Sequence, residues 1–382
     1  MTPPYRADHV GSLLRPPEVL EAHAARAAGR ISADELRAIE DRAVLAALDL
    51  QRQVGLDVLS DGEYRRASWA GEFADAVEGF VTADPPIAFE WRMPDGSARQ
   101  PAAGTTTAPA PGSAGQRGRV VGERLRQHRR LTAYESAFLK EHAGGPYKIT
   151  LPAASYTVAR GFKPGLTTRA YPTRADLMRD VVAIMRAEVD ALASEGVPYI
   201  QLDNPHYPDY IGEERHAQWR AIGIDPAAAL REDIAGDNAT LAGLDRQRVT
   251  VATHICRGNA RSAWHSRGGY EAIAEQVFNE LQVDRFLLEY DTDRAGGFEP
   301  LRFVPKGKMV VLGLVTTKEA ALESPDTLLR RIDEAAKYVP LEALALSPQC
   351  GFASIEVGNL LTWDDQRRKL ELVVETARKV WG

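Results

Sequence analysis

Cysteine is almost absent from this sequence: 382 residues contain two, Cys256 and Cys350. That excludes a small secreted fold stapled by disulfides, and in a reducing compartment a single bridge between two such distant thiols is not expected. Long apolar runs are missing as well. No stretch approaches the roughly 20 apolar residues of a membrane helix, so no membrane partner is expected. An excess of positive charge is also lacking. Lys and Arg number 47 against 53 Asp and Glu, a formal net charge of −6, which gives no electrostatic footprint for nucleic acid or an anionic membrane surface. The opening residues Met1-Thr2-Pro3-Pro4-Tyr5-Arg6 form no apolar signal region, so a cytoplasmic protein is the expectation. No Gly-x-Gly-x-x-Gly follows the first apolar run, which argues against a dinucleotide-binding fold, and there is no internal repeat.

What is present is a rhythm of short apolar runs and longer segments of helical period. Strands are expected over Thr2–Leu14, Leu56–Ser60, Tyr147–Leu151, Tyr199–Leu202, Val249–His254, Arg285–Glu289, Met309–Leu314 and Leu344–Leu346. Helices are expected over Ser32–Val54, Arg174–Glu195, Pro226–Ala242, Tyr270–Leu281, Pro325–Tyr338 and Trp363–Trp381. The first of these opens on Ser32-Ala33-Asp34-Glu35, a capping box. Alternating strands and helices predict a parallel sheet. About eight such units over this length fit an α/β fold of the (β/α)8 TIM-barrel type better than an open doubly wound sheet, with residues 1–382 as one barrel. One region breaks the rhythm. Residues 82–119 are rich in Pro, Ala, Gly, Thr and Ser and too poor in large apolar residues to build a core. They read as a flexible flap inserted after the second strand; a linker between two domains is the competing reading.

Both cysteines fall where chemistry is expected. Val251-Ala252-Thr253-His254-Ile255-Cys256 is an apolar strand ending in His-x-Cys. Alternate residues of a strand share a face, so His254 and Cys256 can point together at its C-terminal end, the catalytic end of a (β/α)8 barrel. Phe286-Leu287-Leu288-Glu289 ends a second apolar strand on a carboxylate, and Leu346-Ser347-Pro348-Gln349-Cys350 places the other thiol beyond a third. A histidine, two thiolates and a carboxylate suit tetrahedral zinc and disfavour magnesium or calcium. Glu289 is either a labile ligand that yields to an incoming sulfur or one of five ligands. The bland alternatives are small core cysteines and a structural ion pair at Glu289.

Thr253-His254-Ile255-Cys256, Leu288-Glu289 and Ser347-Pro348-Gln349-Cys350-Gly351 resemble the zinc-binding segments of the catalytic domain of cobalamin-independent methionine synthase. The resemblance extends over nearly the whole chain. His9-Val10-Gly11-Ser12, Ser60-Asp61-Gly62-Glu63 and Ile200-Gln201-Leu202-Asp203 look like the segments that bind the amino-acid end of homocysteine in that family, which implies that role for Ser12, Glu63 and Asp203. From Leu312 to Lys318 and from Leu346 to Ala353 the chain looks like a short branch of the family that includes epoxyalkane:coenzyme M transferases. The resemblance therefore implies Zn2+, a small-molecule thiol and an alkyl donor. It implies attack by a zinc-bound thiolate, either on a methyl donor as in methionine biosynthesis or on an epoxide as in the coenzyme M transferases. The chain departs from the full-length enzymes on the donor side. There is no room for their second barrel, and Asp203-Asn204-Pro205 replaces Asp-Glu-Pro. No folate-stacking Trp stands between Ile149 and Tyr156, and the family's acid histidine is replaced near Thr317-Lys318.

A leaving group needs a nearby acid; His206 and Tyr156 are the leading candidates, with Tyr207 and Lys318 as alternatives. Glu63 and Asp203 would line one barrel mouth, as a general acid/base pair or as a clamp for an ammonium, unless Arg65, Arg66 or Arg257 neutralises them. Two other enzyme classes fit less well. A porphyrin decarboxylase on a related barrel needs no such ligand set, and two thiolates make zinc a poorer Lewis acid for a hydrolase. A homo-oligomer is left open.

Overall fold

The computed structural model describes residues 5–99 and 118–382. Six strands form one parallel sheet in sequence order: β3 (Lys148–Pro152), β4 (Tyr199–Asp203), β5 (Thr250–Ile255), β6 (Arg285–Glu289), β7 (Met309–Val315) and β8 (Leu344–Pro348). The β3, β4, β5, β6 and β8 strands are buried along their whole length, as strands covered on both faces must be. Around them lie α2 (Ala33–Val54), α6 (Arg174–Glu195), α8 (Pro226–Leu241), α9 (Glu271–Glu280), α10 (Pro325–Ala335) and α11 (Trp363–Trp381). Shorter helices fill the remaining connections: α1 (Pro17–Ala27), α3 (Gly71–Ala76), α4 (Ala133–His142), α5 (Ala154–Gly161) and α7 (Glu213–Ala221).

The fold is a (β/α)8 barrel in which two of the eight ring positions are filled by extended segments rather than full strands. Ala7 bridges Leu346 of β8, and Leu59 bridges Tyr147 just ahead of β3, both in parallel. The two segments meet through Asp57, whose N–H donates to the Ala7 carbonyl at 3.1 Å and whose carboxylate accepts from the Ala7 N–H at 2.9 Å. A side chain has taken the place of a ladder partner, and Gly11 at φ +140° turns the chain away soon afterwards. That is why, among the described residues, the strands expected over Thr2–Leu14 and Leu56–Ser60 shrink to single bridges; Thr2, Pro3 and Pro4 lie outside the described residues.

Local rules account for the helix ends. Ser32 and Glu35 form the capping box read from sequence, and Thr173 with Asp176 and Thr362 with Asp365 repeat it. After the second ring segment the chain runs into an antiparallel hairpin of β1 (Val77–Ala83) and β2 (Gly118–Gln127). Residues 100–117 of the insert expected over 82–119 lie outside the described residues. Its described part folds back on the barrel: the Arg92 and Trp264 backbones exchange two hydrogen bonds of 2.8 Å, pinning the segment to the loop that follows β5. Among the described residues no helix is long and apolar enough to cross a membrane.

Candidate metal and thiol site

His254, Cys256 and Cys350 meet at the C-terminal ends of β5 and β8, with ligand atoms within 4.8 Å of one another and all three residues buried. Strand alternation puts His254 and Cys256 on one face. Cys350 is held by its neighbours: Gln349 N–H donates to the Val315 carbonyl at 2.8 Å and Phe352 N–H to the Ser12 carbonyl at 2.9 Å. Gly351 beside it leaves room for Ser12, whose hydroxyl a β-carbon there would displace. Neither cysteine is in a disulfide. The two thiols affect each other in opposite directions: the neighbouring Cys350 and burial push the Cys256 thiol up, while Cys256 and His254 pull Cys350 well below the usual thiol range.

Both ring nitrogens of His254 are buried without a hydrogen-bond partner. The Cys350 thiol is close enough to pull on the ring but makes no hydrogen bond of normal geometry with it, and a buried imidazole left so is costly unless something occupies its nitrogens. With two thiols alongside, the donor set is one nitrogen and two sulfurs, which fits zinc and does not fit a hard cation.

Glu289 ends β6 as expected but lies outside this cluster of three. Its Oε1 accepts from Arg294 Nη2 at 2.6 Å, and its Oε2 from the Arg257 N–H at 2.7 Å and from Gln349 Nε2 at 3.2 Å. Burial alone would raise its pKa; Arg294, Lys318 and Arg257 outweigh that and hold it at about 2.

A cavity of about 390 Å³ opens onto the cluster and is lined by Ser12, Glu63, Tyr156 and Asp203 as well as by His254, Cys256 and Cys350. Glu63 stands at φ +59° after Gly62, a left-handed pair that turns its side chain inward. Its Oε1 accepts from Thr150 Oγ1 at 2.8 Å, while Oε2 is buried with no partner. Of the nearby arginines, Arg66 pairs with Glu72 and lies 3.9 Å from Glu63, Arg65 turns to Asp41, and Arg257 serves Glu289. Burial raises the Glu63 carboxyl. It raises Asp203 to about 7, with Glu63 and Cys350 pushing the same way against His254 and Gln201. Asp203 accepts from Gln201 Nε2 at 2.8 Å, and Gln201 in turn accepts from Lys148 Nζ at 2.8 Å. Arg15 ties the mouth together, donating to the carbonyls of Glu63 at 2.8 Å, Arg66 at 2.6 Å and Ala353 at 3.1 Å.

The two acid candidates part company. Tyr156 lines the cavity and packs against Trp69 at 4.5 Å between ring centroids. His206 does not line it. It is fully buried behind the wall, with Nδ1 2.9 Å from Asp209 and Nε2 3.1 Å from Asp233. Tyr207 likewise donates to Asp237 at 2.8 Å, and Lys318 donates to the Gly258 carbonyl at 2.9 Å and Asn259 Oδ1 at 3.0 Å. Sequence reasoning missed the far wall: Trp69, Phe89, Trp91, Arg160 and His265 line it. Trp69 follows Glu63 on one loop, a signal that was available. Trp91 sits in the irregular insert and had none.

The sequence matches the family described as "Cobalamin-independent synthase, Catalytic domain" over residues 7–90 and 159–379. It is 37% identical to the Bacillus subtilis protein YxjH, named as uncharacterized, across 99% of this chain and 95% of that one. It is 22% identical to a protein of Pyrococcus abyssi named methionine synthase, across 91% and 86% of the two chains. A solved structure from Listeria monocytogenes, titled a putative vitamin-B12 independent methionine synthase, superposes with a TM-score of 0.75 at 26% identity, covering 100% of this chain and 99% of the other. A B12-independent methionine synthase from Shewanella, at 18% identity, shares the fold with a TM-score of 0.69 over 98% and 97% of the chains.

Proposed function

Because the chain belongs to the family of cobalamin-independent synthase catalytic domains, we propose that it is a zinc-dependent S-methyltransferase acting on homocysteine or a related amino thiol. The observation that carries this reading is the pairing of the His254, Cys256 and Cys350 cluster with two carboxylates, Glu63 and Asp203, on one cavity. His254, Cys256 and Cys350 would hold the metal. When bound, zinc supplies the deprotonation that makes a thiol nucleophilic at neutral pH, where a free thiol with a pKa near 8.5 is mostly protonated.

The chain's own residues do the rest. The unpartnered Glu63 Oε2 and the Asp203 carboxylate offer charge-assisted hydrogen bonds to a substrate ammonium, each contributing roughly 1.5–3 kcal/mol. Ser12 lines the same cavity, and its hydroxyl would meet the substrate carboxylate. The Trp69 and Tyr156 rings, which line the same cavity, would exclude water from an alkyl donor bound there, and Tyr156 is the acid candidate that lines it. A sulfonated thiol such as coenzyme M would bring an anion toward two carboxylates and be rejected.

Two measurements test this. As isolated, the protein should carry about one zinc per chain, and Cys350→Ser should lose the metal and the activity while keeping its helical circular dichroism. Calorimetric titration of the zinc-loaded protein should show homocysteine binding at least tenfold more tightly than coenzyme M, about 1.4 kcal/mol. The reverse order would replace the amino thiol with a sulfonated one and the methyl donor with an epoxide.

A further inference from the structure

The far wall of the cavity carries a charge of opposite sign to Glu63 and Asp203. Arg160 lines it together with Trp69, Phe89, Trp91, Tyr156 and His265. Tyr156 and Arg160 lie four residues apart on α5, so one helix face presents both. The Arg160 guanidinium sits 4.0 Å from the centroid of the Phe89 ring and 5.4 Å from that of Tyr156. The Phe89 and Trp91 rings both pack on His265, at 4.3 and 4.9 Å between centroids. His265 adds no charge of its own: burial first, then Arg160 and Arg215, pull it down to about 3 against Asp209.

The positive charge is not cancelled from behind. Arg160 Nη2 donates to one oxygen of Asp209 at 3.2 Å, and Arg215 Nε lies 3.7 Å from the other. Among the described residues neither guanidinium pairs with a second carboxylate. Asp209 also takes His206 Nδ1 at 2.9 Å; burial lowers the His206 pKa, but Asp209 and Asp233 outweigh it and raise it. One carboxylate thus answers two guanidiniums and an imidazole. At the same wall Trp91 Nε1 is buried without a hydrogen-bond partner among the described residues, and an indole N–H can only donate.

We infer that Arg160 and the rings around it form a second subsite, which takes the carboxylate of a compact, planar aromatic or heteroaromatic acid and shares the cavity with the thiol. A guanidinium presents a fork of N–H donors that matches a carboxylate. Trp69 and Tyr156, 4.5 Å apart between centroids, offer ring faces to a flat molecule. The cavity of about 390 Å³ must hold both ligands, so the acid is small. Charge sorts the two. An ammonium is drawn to Glu63 and Asp203 and refused by Arg160; a ring carboxylate meets the reverse. Taking this acid as the alkyl donor rests on the function proposed above. The subsite itself rests on Arg160 and the rings, with no part played by the metal.

Titration of the protein as isolated with para-methoxybenzoate and with its uncharged counterpart, para-methoxybenzamide, tests this without turnover. Tryptophan fluorescence reads the binding, since Trp69 and Trp91 line the cavity. The acid should bind more tightly than the amide by about tenfold or more near neutral pH, as a charge-assisted bond to a buried guanidinium allows. Arg160→Met should erase that preference while still binding the amide, which shows that the variant is folded. Arg160→Lys, a point charge without the fork, should keep part of it. Arg119→Met should change the preference by less than about threefold, because Arg119 pairs with Asp75 at an exposed position. On the zinc-loaded protein the acid and homocysteine should bind together, neither weakening the other by more than about threefold. The inference is overturned if the acid binds no better than the amide, if Arg160→Met keeps the preference, if Arg119→Met erases it, or if the acid and homocysteine exclude each other. Failure of homocysteine to bind at all would remove the amino-thiol reading alone, and the titrations with acid and amide would still decide the subsite.

Discussion

The two ends of the barrel are both rich in buried polar groups, but they treat them differently. At the N-terminal ends of the strands, Lys148 and Asp8 are wholly buried and pair at 2.7 Å, and the Tyr199 hydroxyl donates to the other Asp8 oxygen at 3.0 Å. Charge there is answered by charge. At the mouth, His254 has two idle nitrogens and Glu63 one idle oxygen, and the Asp203 carboxyl is pushed up to about 7. Orphaned buried polar atoms facing one cavity are the pattern expected of a binding site. The satisfied end is architecture; the unsatisfied end is the candidate site.

That contrast is open to test by substitution. The largest effect should come from the floor. Lys148→Met removes the cation nearest Asp8, leaving Arg285 at 3.5 Å, and should destabilise the protein by about 3–5 kcal/mol, lowering the thermal midpoint by roughly 4–6 °C in a chain this long, while zinc content per folded chain stays unchanged. A midpoint shift of only a degree or two would mean the floor pair is not the structural element described.

A change at the mouth should do the opposite to stability. Asp203→Asn should weaken homocysteine binding at least tenfold, about 1.4 kcal/mol, yet leave the metal-free protein more stable near pH 8 by about 1–2 kcal/mol. The sign follows from the raised carboxyl. Below pH 4 the Asp203 side chain is protonated both folded and unfolded and costs nothing. As pH rises toward 7 the unfolded chain ionises while the folded one holds its proton, so wild-type stability falls across that window. The advantage of the asparagine variant should grow from pH 4 to 7 and then level off; a constant offset would contradict the assignment. The smallest effect belongs to Ser12→Ala, which should weaken homocysteine about threefold, ~0.7 kcal/mol, with no change in thermal midpoint.

The mouth was more legible in the sequence than the floor. His254, Cys256, Glu289 and Cys350 announce themselves because a polar residue at the end of an apolar strand has few other reasons to be there. Lys148 and Asp8 gave no such signal, since their pairing depends on ring closure between strands far apart in the chain. His206 shows the converse limit. It sits in a polar loop directly after Asp203-Asn204-Pro205 and reads as a cavity residue. The short helical turn at Tyr207–Tyr210 and the α8 helix instead bring Asp209 and Asp233 around it. Glu289 was readable as a position and not as a partnership, because Arg294 reaches it only through the turn after β6. The irregular insert hid Trp91 altogether, as a stretch without periodicity gives no face to predict.

The Ala7–Leu346 bridge and the reach of Arg15 from Glu63 to Ala353 join the first ring segment to the last strand. This sets a timetable for biosynthesis. A ribosome adding about 5–20 residues per second delivers His254 and Cys256 well before Cys350, and β8, on which the first segment rests, emerges only after β5, β6 and β7. Until then the nascent barrel lacks both its seam and its second thiol. Assembly of the complete donor set must therefore wait for Cys350, and a truncation before residue 344 would leave His254 and Cys256 without the second thiol and Ala7 without its bridge to Leu346.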